Sequence, residues 1–328
     1  MYKNFIVEDE IRLDKYLSLK INASRNQIEQ LIKKEFVKVD QKTTNKPSYK
    51  LKLNQNIEVF FPSQEVSVLE DETFLKESLQ NKKVEIIYED DDILVINKPF
   101  NLTVHKAPSV KEATLVDWLK LQKISLSTIS GEERHGIVHR LDKGTSGIMV
   151  IAKTNEAHKA IAKELESRDV GRYYLAIIDL PLKESLIVEK PIGRNPNNRL
   201  KMGIVENARY AKSMFSKIEI SKNHKYELIA CSLFTGRTHQ IRAHLSSISR
   251  HIVGDTLYGF KGELNKIKRF FLHAYCLEFT HPTTKQRVSF FANIENTMQI
   301  FINNNFDKEK IDEKINSSSF IHCFDNIY

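Results

Sequence analysis

Residues His135 to Gly147 read HGIVHRLDKGTSG. They set one carboxylate, Asp142, between two cations, Arg140 and Lys143, and follow it with glycines and hydroxyls. Ile148-Met149-Val150-Ile151 comes next and reads as a buried strand. A polar, glycine-containing loop feeding a buried strand is a place where scaffolds carry working groups. A carboxylate there can attack as a nucleophile or stabilise an oxocarbenium-like sugar. The plainer alternative is a salt-bridged surface loop. If the loop is extended, Arg140 and Asp142 share a face, and the guanidinium favours the ionised carboxylate.

A second cluster lies about a hundred positions later, in Thr235-Gly236-Arg237-Thr238-His239-Gln240-Ile241-Arg242-Ala243-His244. Arg237, Gln240, Arg242 and His244 crowd a turn that enters a helix, and helix N-termini with nearby guanidinium groups favour anions. His239 is a competing candidate for a general base. Between the two clusters, Gly171-Arg172-Tyr173-Tyr174-Leu175-Ala176-Ile177-Ile178 alternates as a strand, so its two tyrosines face opposite ways. Core packing is the plain reading of either. His135 and His139 are four apart, but no Glu or Cys completes a metal site, and none is expected.

The elements that must position these groups are read from pattern and charge. The chain has 328 residues, is 41% hydrophobic and carries a net charge of +8. That is enough for two folded domains or one large one and excludes a disordered chain. Residues 1–61 are net +4, residues 62–92 net −7 and the remainder net +11. Two basic bodies separated by an acidic connector point to a polyanionic partner met by both. The N-terminus lacks the apolar core of a secretory signal, and no apolar run is long enough to span a membrane. Cys231, Cys276 and Cys323 are scattered and odd in number, which fits reduced thiols in a cytoplasm. We expect a small basic domain over residues 1–62 and an acidic linker with room for one helical turn over 63–83. A larger domain over 84–300 follows, and 301–328 form a peripheral helix or frayed tail.

Within residues 1–62, the spacing predicts a helix over 12–20 and, after Ser24, a second one with Ile28, Leu31 and Ile32 inward. Arg25, Lys33 and Lys34 then lie largely away from the apolar stripe. Phe36–Val39 and Asn56–Phe60 alternate as strands. Two helices and a cationic ribbon suit phosphate contacts. Further on, strands are expected from Val84 and Ile93, and helices over 114–121 and 158–168. Trp118 is expected in the core and Glu89-Asp90-Asp91-Asp92 in a solvated turn.

Two resemblances sharpen this reading. RLDKYL…SRNQIEQLIKKEFVKV…KPSYKLKLNQNIEV resembles the S4 RNA-binding domain. Glu35, Gln41 and Gln55 or Asn56 stand where that domain often has glycine, and Asp40 and Asn54 can still serve the turns. HRLDKGTSG with Ala152-Lys153, TGRTHQIRAHL and IVGDTLYG resemble the RNA pseudouridine synthases of the ribosomal large-subunit synthase A type. IIYEDDDILVINKPFNLTVH is similar to the opening of their catalytic domain, with Asn101 where glycine is usual. Ser249-Arg250-His251 departs from their frequent Gly-His-Pro.

The second resemblance implies an α+β fold on a mixed, bent sheet with a cleft between its halves. It implies isomerisation of specific uridines in structured RNA, with large-subunit ribosomal RNA the expected substrate and transfer RNA the alternative. That reaction breaks the C1′–N1 bond and rejoins the base through C5, with no redox cofactor or external nucleophile. The resemblance makes Asp142 the catalytic residue, and attack on the sugar, attack on the base and removal of a sugar proton all remain open to it. It pairs Arg242 with Asp142 and stacks Tyr174 on the target uracil. It places Arg140 in the gap left by the flipped nucleotide, and such flipping costs a few kcal/mol. Arg237, His239 and Gln240 are expected to contact RNA, as is the basic loop within residues 191–209. Gly144 and Gly147 are expected to let backbone approach the nucleic acid. A monomer is expected. The rival readings are a non-catalytic RNA-binding or ribosome-assembly factor and a glycosidase that releases uracil.

Overall fold

The computed structural model describes residues 2–21, 25–61, 68–107, 110–131, 134–262, 269–316, 320–325 and 327. The chain folds as two units, Met1–Phe74 and Leu75–Tyr328. In the first, strand β1 (Tyr2–Ile6) precedes helices α1 (Leu13–Lys20) and α2 (Arg25–Lys33). Strands β2 (Val37–Val39), β3 (Lys42–Thr43) and β4 (Asn56–Phe60) complete an antiparallel sheet in the order β1-β4-β2-β3. Leu13, Leu17, Ile28, Ile32, Val37 and Ile57 are fully enclosed and form its core. Ser24 and the side chain of Arg25 lie outside the described residues. β1 escaped the sequence reading because its residues are largely exposed and do not alternate. Glu35, Gln41 and Asn54 adopt φ of +62°, +65° and +63°. Two of the three glycine-like positions are therefore left-handed, and at the third Asn54 takes the turn in place of Gln55 or Asn56.

Residues expected to be linker hold a helix of 12 residues, α3 (Val68–Leu79). It is long because Val68-Leu69-Glu70-Asp71-Glu72-Thr73-Phe74-Leu75-Lys76-Glu77-Ser78-Leu79 contains no glycine or proline.

The second unit is built on nine strands. They are β5 (Glu85–Glu89), β6 (Ile93–Lys98), β7 (Ser146–Ala152), β8 (Gly171–Asp179) and β9 (Leu186–Glu189), then, beyond a separate hairpin, β12 (Lys212–Ile220), β13 (Tyr226–Leu233), β14 (Leu272–Thr280) and β15 (Arg287–Phe291). The hairpin is β10 (Ile192–Arg194) with β11 (Met202–Ile204). The order is β5-β6-β7-β14-β8-β13-β12-β9, with β15 also on β14. Among the described residues only β7 and β14 pair in parallel, so the sheet is mixed and the fold α+β. Helices α4 (Leu115–Leu121) and α5 (Asn155–Ser167) start at Thr114 and Thr154, whose hydroxyls accept from Asp117 and Ala157 N–H groups. Trp118 is only partly buried.

Alternation along β8 splits the core. Tyr174, Ala176 and Ile178 join the larger cluster on one face, whereas Leu175 and Ile177 join a second cluster on the other. The second cluster includes Ile302 and Phe306, at the end of α7 (Asn296–Asn305) and just beyond it. It also includes Ile311 and Ile315 of α8 (Lys308–Ile315), and Phe320 and Phe324. The described residues of 301–327 thus pack helices onto this core where a peripheral helix or frayed tail was expected. Their i, i+4 apolar pairs are interrupted between the two helices, which hides the period in the sequence. Asp90 is likewise no mere solvated turn: it accepts from the Asp92 and Ile93 N–H groups and meets His281 Nε2 at 2.8 Å.

A row of paired residues crosses the centre of the sheet: Gly147, Ala274, Tyr174 and Cys231. Gly147 has φ +116°, and a Cβ there would fall 2.1 Å from the Ala274 carbonyl oxygen. Its close approach is therefore to β14 and not to nucleic acid. A Cβ at Gly144 would fall 2.5 Å from the Phe270 ring. Gly147→Ala is expected to lower stability by about 2–5 kcal/mol through clash and backbone strain, read as a fall in urea midpoint at unchanged m-value.

Candidate active site

Asp142 sits in the loop just before β7, and its backbone carbonyl accepts from Thr145 N–H at 3.0 Å, closing a tight turn. The loop is pinned from both sides. His139 Nε2 accepts from the Val150 N–H of β7 at 3.1 Å. Lys98 is fully buried beneath the loop, where its Nζ donates to the carbonyls of Pro99 and Leu102 at 2.9 Å and reaches that of Lys143 at 3.5 Å. Burial, helped by repulsion from Arg269, lowers its pKa to about 7. Lys98 had no role in the sequence reading.

Helix α6 (Gln240–Ser246) faces this loop. Arg242 Nη1 lies 3.2 Å from Asp142 Oδ2. The remaining edge of the same guanidinium grips Asp255, with Nε to Oδ2 at 2.7 Å and Nη2 to Oδ1 at 2.9 Å. Its plane is stacked between Tyr258 and Phe270, 4.7 and 4.5 Å from the ring centroids. The side chains are 6% exposed for Arg242, 1% for Asp255 and 19% for Asp142, so Asp255 is enclosed while Asp142 is partly open. Burial opposes the charge on Arg242, but Asp255 and then Asp142 outweigh it and raise its pKa. The sequence reading missed Asp255, Tyr258 and Phe270. Gly254-Asp255-Thr256-Leu257-Tyr258-Gly259, inside the third matching segment, carried the signal for the first two.

A cavity of about 360 Å³ opens on Asp142 and is lined by Arg140, Arg172, Tyr174, Arg237, His239 and Arg242 among others. Tyr174 is buried, and burial raises its hydroxyl pKa to about 12, so it is neutral at physiological pH. Tyr173 points to the other face and packs on Phe324, 5.6 Å between centroids. Arg140 is exposed at the cavity, with Nη1 3.4 Å from His105 Nε2. Lys143 is turned away onto Glu112 at 2.7 Å.

His239 takes a left-handed backbone, φ +53°, at the cap of α6, and its Nε2 is 3.7 Å from Asp142 Oδ2. Burial lowers its pKa despite the attraction of Asp142. Its Nδ1 meets the Tyr258 hydroxyl at 2.9 Å. Arg237 lines the cavity and donates from Nε to the Tyr210 carbonyl at 3.0 Å. Gln240 corrects the expectation of an RNA contact. Its amide is buried and accepts from Thr235 Oγ1 and Arg237 N–H while donating to Ser213 Oγ and the Lys212 carbonyl. No donor or acceptor of ordinary strength is left for a ligand. His244 is also inward, between Ser213 Oγ and the Lys190 carbonyl. Lys33 and Lys34 are exposed on the first unit, Lys33 pairing with Glu29 at 3.7 Å.

The departure at 249–251 is accommodated locally. Ser249 has φ +55°, a conformation glycine adopts without strain. His251 Nδ1 bonds Asp179 Oδ2 at 2.9 Å, and Asn101 takes φ +59° where glycine is usual.

Acid should loosen this scaffold. Burial depresses His139 to about 4 and His273 to about 3, against an ordinary 6.5. Because the folded values lie below the unfolded one, the unfolded chain protonates first as pH falls. Stability present above about pH 6.5 is lost toward pH 4, on the order of 3 kcal/mol for His139 alone. Urea midpoints measured from pH 7 to 4.5 should fall steadily, and His139→Gln should flatten the fall.

Comparison with known proteins supplies the family. Residues 92–247 match the family model for RNA pseudouridylate synthase, and residues 11–57 that for the S4 domain. A Helicobacter pylori protein described as an uncharacterized RNA pseudouridine synthase is 45% identical over 99% of both chains. The ribosomal large subunit pseudouridine synthase D of Xanthomonas campestris is 38% identical over 67% of this chain and 69% of its own. In fold, human RNA pseudouridylate synthase domain containing 4 superposes with a TM-score of 0.54, covering 74% of this chain and 98% of its own at 22% identity. No helix among the described residues is long and apolar enough to cross a membrane. With its S4 domain followed by this catalytic fold, the chain belongs to the RNA pseudouridine synthase family.

Proposed function

We propose that the protein isomerises particular uridines of large-subunit ribosomal RNA in the cytoplasm, as a monomer, with Asp142 as its catalytic carboxylate. The observation that carries this reading is the placement of Asp142: partly exposed at the cavity and bonded to an Arg242 that Asp255 fixes from behind. A carboxylate so held is oriented before substrate arrives, which is what a single-carboxylate mechanism requires. Tyr174 offers a ring face to the uracil. Arg140 makes no ion pair among the described residues and is available to fill the gap left by the flipped nucleotide, where a planar guanidinium stacks well. The similarity to synthases named for the ribosomal large subunit supports the choice of RNA.

Isomerisation replaces the C5–H bond of uridine with C5–C1′, so the hydrogen on C5 leaves to solvent. Purified protein should therefore release tritium from large-subunit ribosomal RNA carrying 5-tritiated uridine, with pseudouridine in the digested RNA. Free uracil as the product would contradict the proposal, as would the absence of tritium release.

A further inference from the structure

Arg172 has chemistry that the reading above does not use. It precedes Tyr174 by two positions on β8, so it lies on the same sheet face, about 7 Å along the strand. Its side chain lines the cavity that holds Asp142. Arg172, Arg242 and Arg269 are all buried, at 9%, 6% and 7% exposure. Arg242 has Asp255 and Arg269 has Glu295, each at 2.7 Å. Arg172 forms no ion pair among the described residues. Its Nη2 makes only long bonds to the Leu233 and Phe234 carbonyls, at 3.4 and 3.3 Å, and its buried Nε has no partner there. An arginine cannot shed its proton in response to burial, and an unpaired buried charge is costly.

The guanidinium also has a place prepared for it. A Cβ at Gly236 would lie 2.7 Å from Arg172 Nη1, so the group fits only because that position has no side chain. Gly236 is exposed and lines the same cavity. Arg237 adjoins it, and Arg168 lies over the Tyr210 ring at 5.2 Å. Glu166 also lines this end but forms no ion pair among the described residues. Mutually repelling guanidinium groups without a matched carboxylate favour an anion over a neutral carbonyl.

We infer that Arg172, seated against Gly236, forms a phosphodiester subsite that holds the RNA backbone beside the flipped nucleotide. This rests on the substrate being RNA, as proposed above. The missing counter-charge is a phosphate of the substrate, gripped by the free edge of the fork.

Three proteins test it: wild type, Arg172→Met and Arg172→Lys. Without ligand, Arg172→Met should melt no lower than wild type, because it removes an uncompensated charge and keeps the apolar stem. Inorganic phosphate, against chloride at matched ionic strength, should raise the Tm of wild type by about 2 °C near ten times its Kd, that of Arg172→Lys by less, and that of Arg172→Met not at all. With large-subunit ribosomal RNA, Arg172→Met should raise KM about tenfold at nearly unchanged kcat. The slope of log(kcat/KM) against log salt should become shallower by about 0.7–0.9, the loss of one phosphate contact. Equal phosphate shifts in wild type and Arg172→Met would overturn the subsite, as would a lowered Tm with an unchanged salt slope. A phosphate shift lost in Arg172→Met while wild type releases no tritium from this RNA would leave the subsite standing and sink the substrate proposal.

Discussion

Asp142→Asn is expected to abolish tritium release, by a factor on the order of 10⁴ or more, while leaving the fold intact. The size follows from the chemistry. The mechanism proposed above rests on the single carboxylate of Asp142, and an amide can neither attack carbon as an anion nor stabilise a cationic sugar. The intact fold follows from the geometry. Asp142 makes a single 3.2 Å bond to Arg242, which keeps two bonds to Asp255 without it. Thermal unfolding should differ from wild type by no more than about 1 kcal/mol, the range of a partly exposed ion pair. RNA binding should survive, since Arg140, Arg172 and Arg237 are untouched.

Arg242→Ala is expected to give the next largest effect, acting on stability and turnover together. The substitution strands Asp255, whose side chain is 1% exposed, without its two charged hydrogen bonds. Removing one partner of a buried pair costs about 3–5 kcal/mol. It also empties the space between the Tyr258 and Phe270 rings and frees Asp142. The loss of activity is expected to exceed 10²-fold, about what mispositioning a reacting group costs. Two further variants separate the causes. Asp255→Asn keeps Arg242 against Asp142 and removes the charge behind it, so stability should fall with turnover only partly lost. Arg242→Lys keeps the charge but cannot span both carboxylates, so turnover should fall more than stability. If Arg242→Ala melts like wild type, Asp255 is not the anchor described here.

The difference between what could be read from residues and what needed the fold is physical. Asp142, Tyr174 and Arg242 stand in contiguous stretches that carry the family resemblance. Asp255 stands 13 positions from Arg242 and shows its purpose only once a guanidinium is laid across both carboxylates. Phe270 has no signal at all in the chain, because the ring's task is to flank a group 28 positions away. Gln240 misled for the opposite reason: an amide among arginines looks exposed, but Thr235, Lys212 and Ser213 close around it. Strands of the sheet were legible as alternation, yet their order was not, since β7 meets β14 across more than 120 residues. That pairing places the Asp142 loop beside Tyr174, through the row that runs from Gly147 to Ala274 to Tyr174. The glycine at 147 was visible, but whose backbone it admits was not.

The most direct measurement is pseudouridine mapping of total RNA from cells with the gene, without it, and without it but rescued by wild type or Asp142→Ala. Specific positions in large-subunit ribosomal RNA should lose pseudouridine on deletion, regain it with wild type and stay unmodified with Asp142→Ala. Restoration of those positions by Asp142→Ala would contradict the assignment of the catalytic carboxylate. An unchanged ribosomal RNA map across all four strains would contradict the substrate.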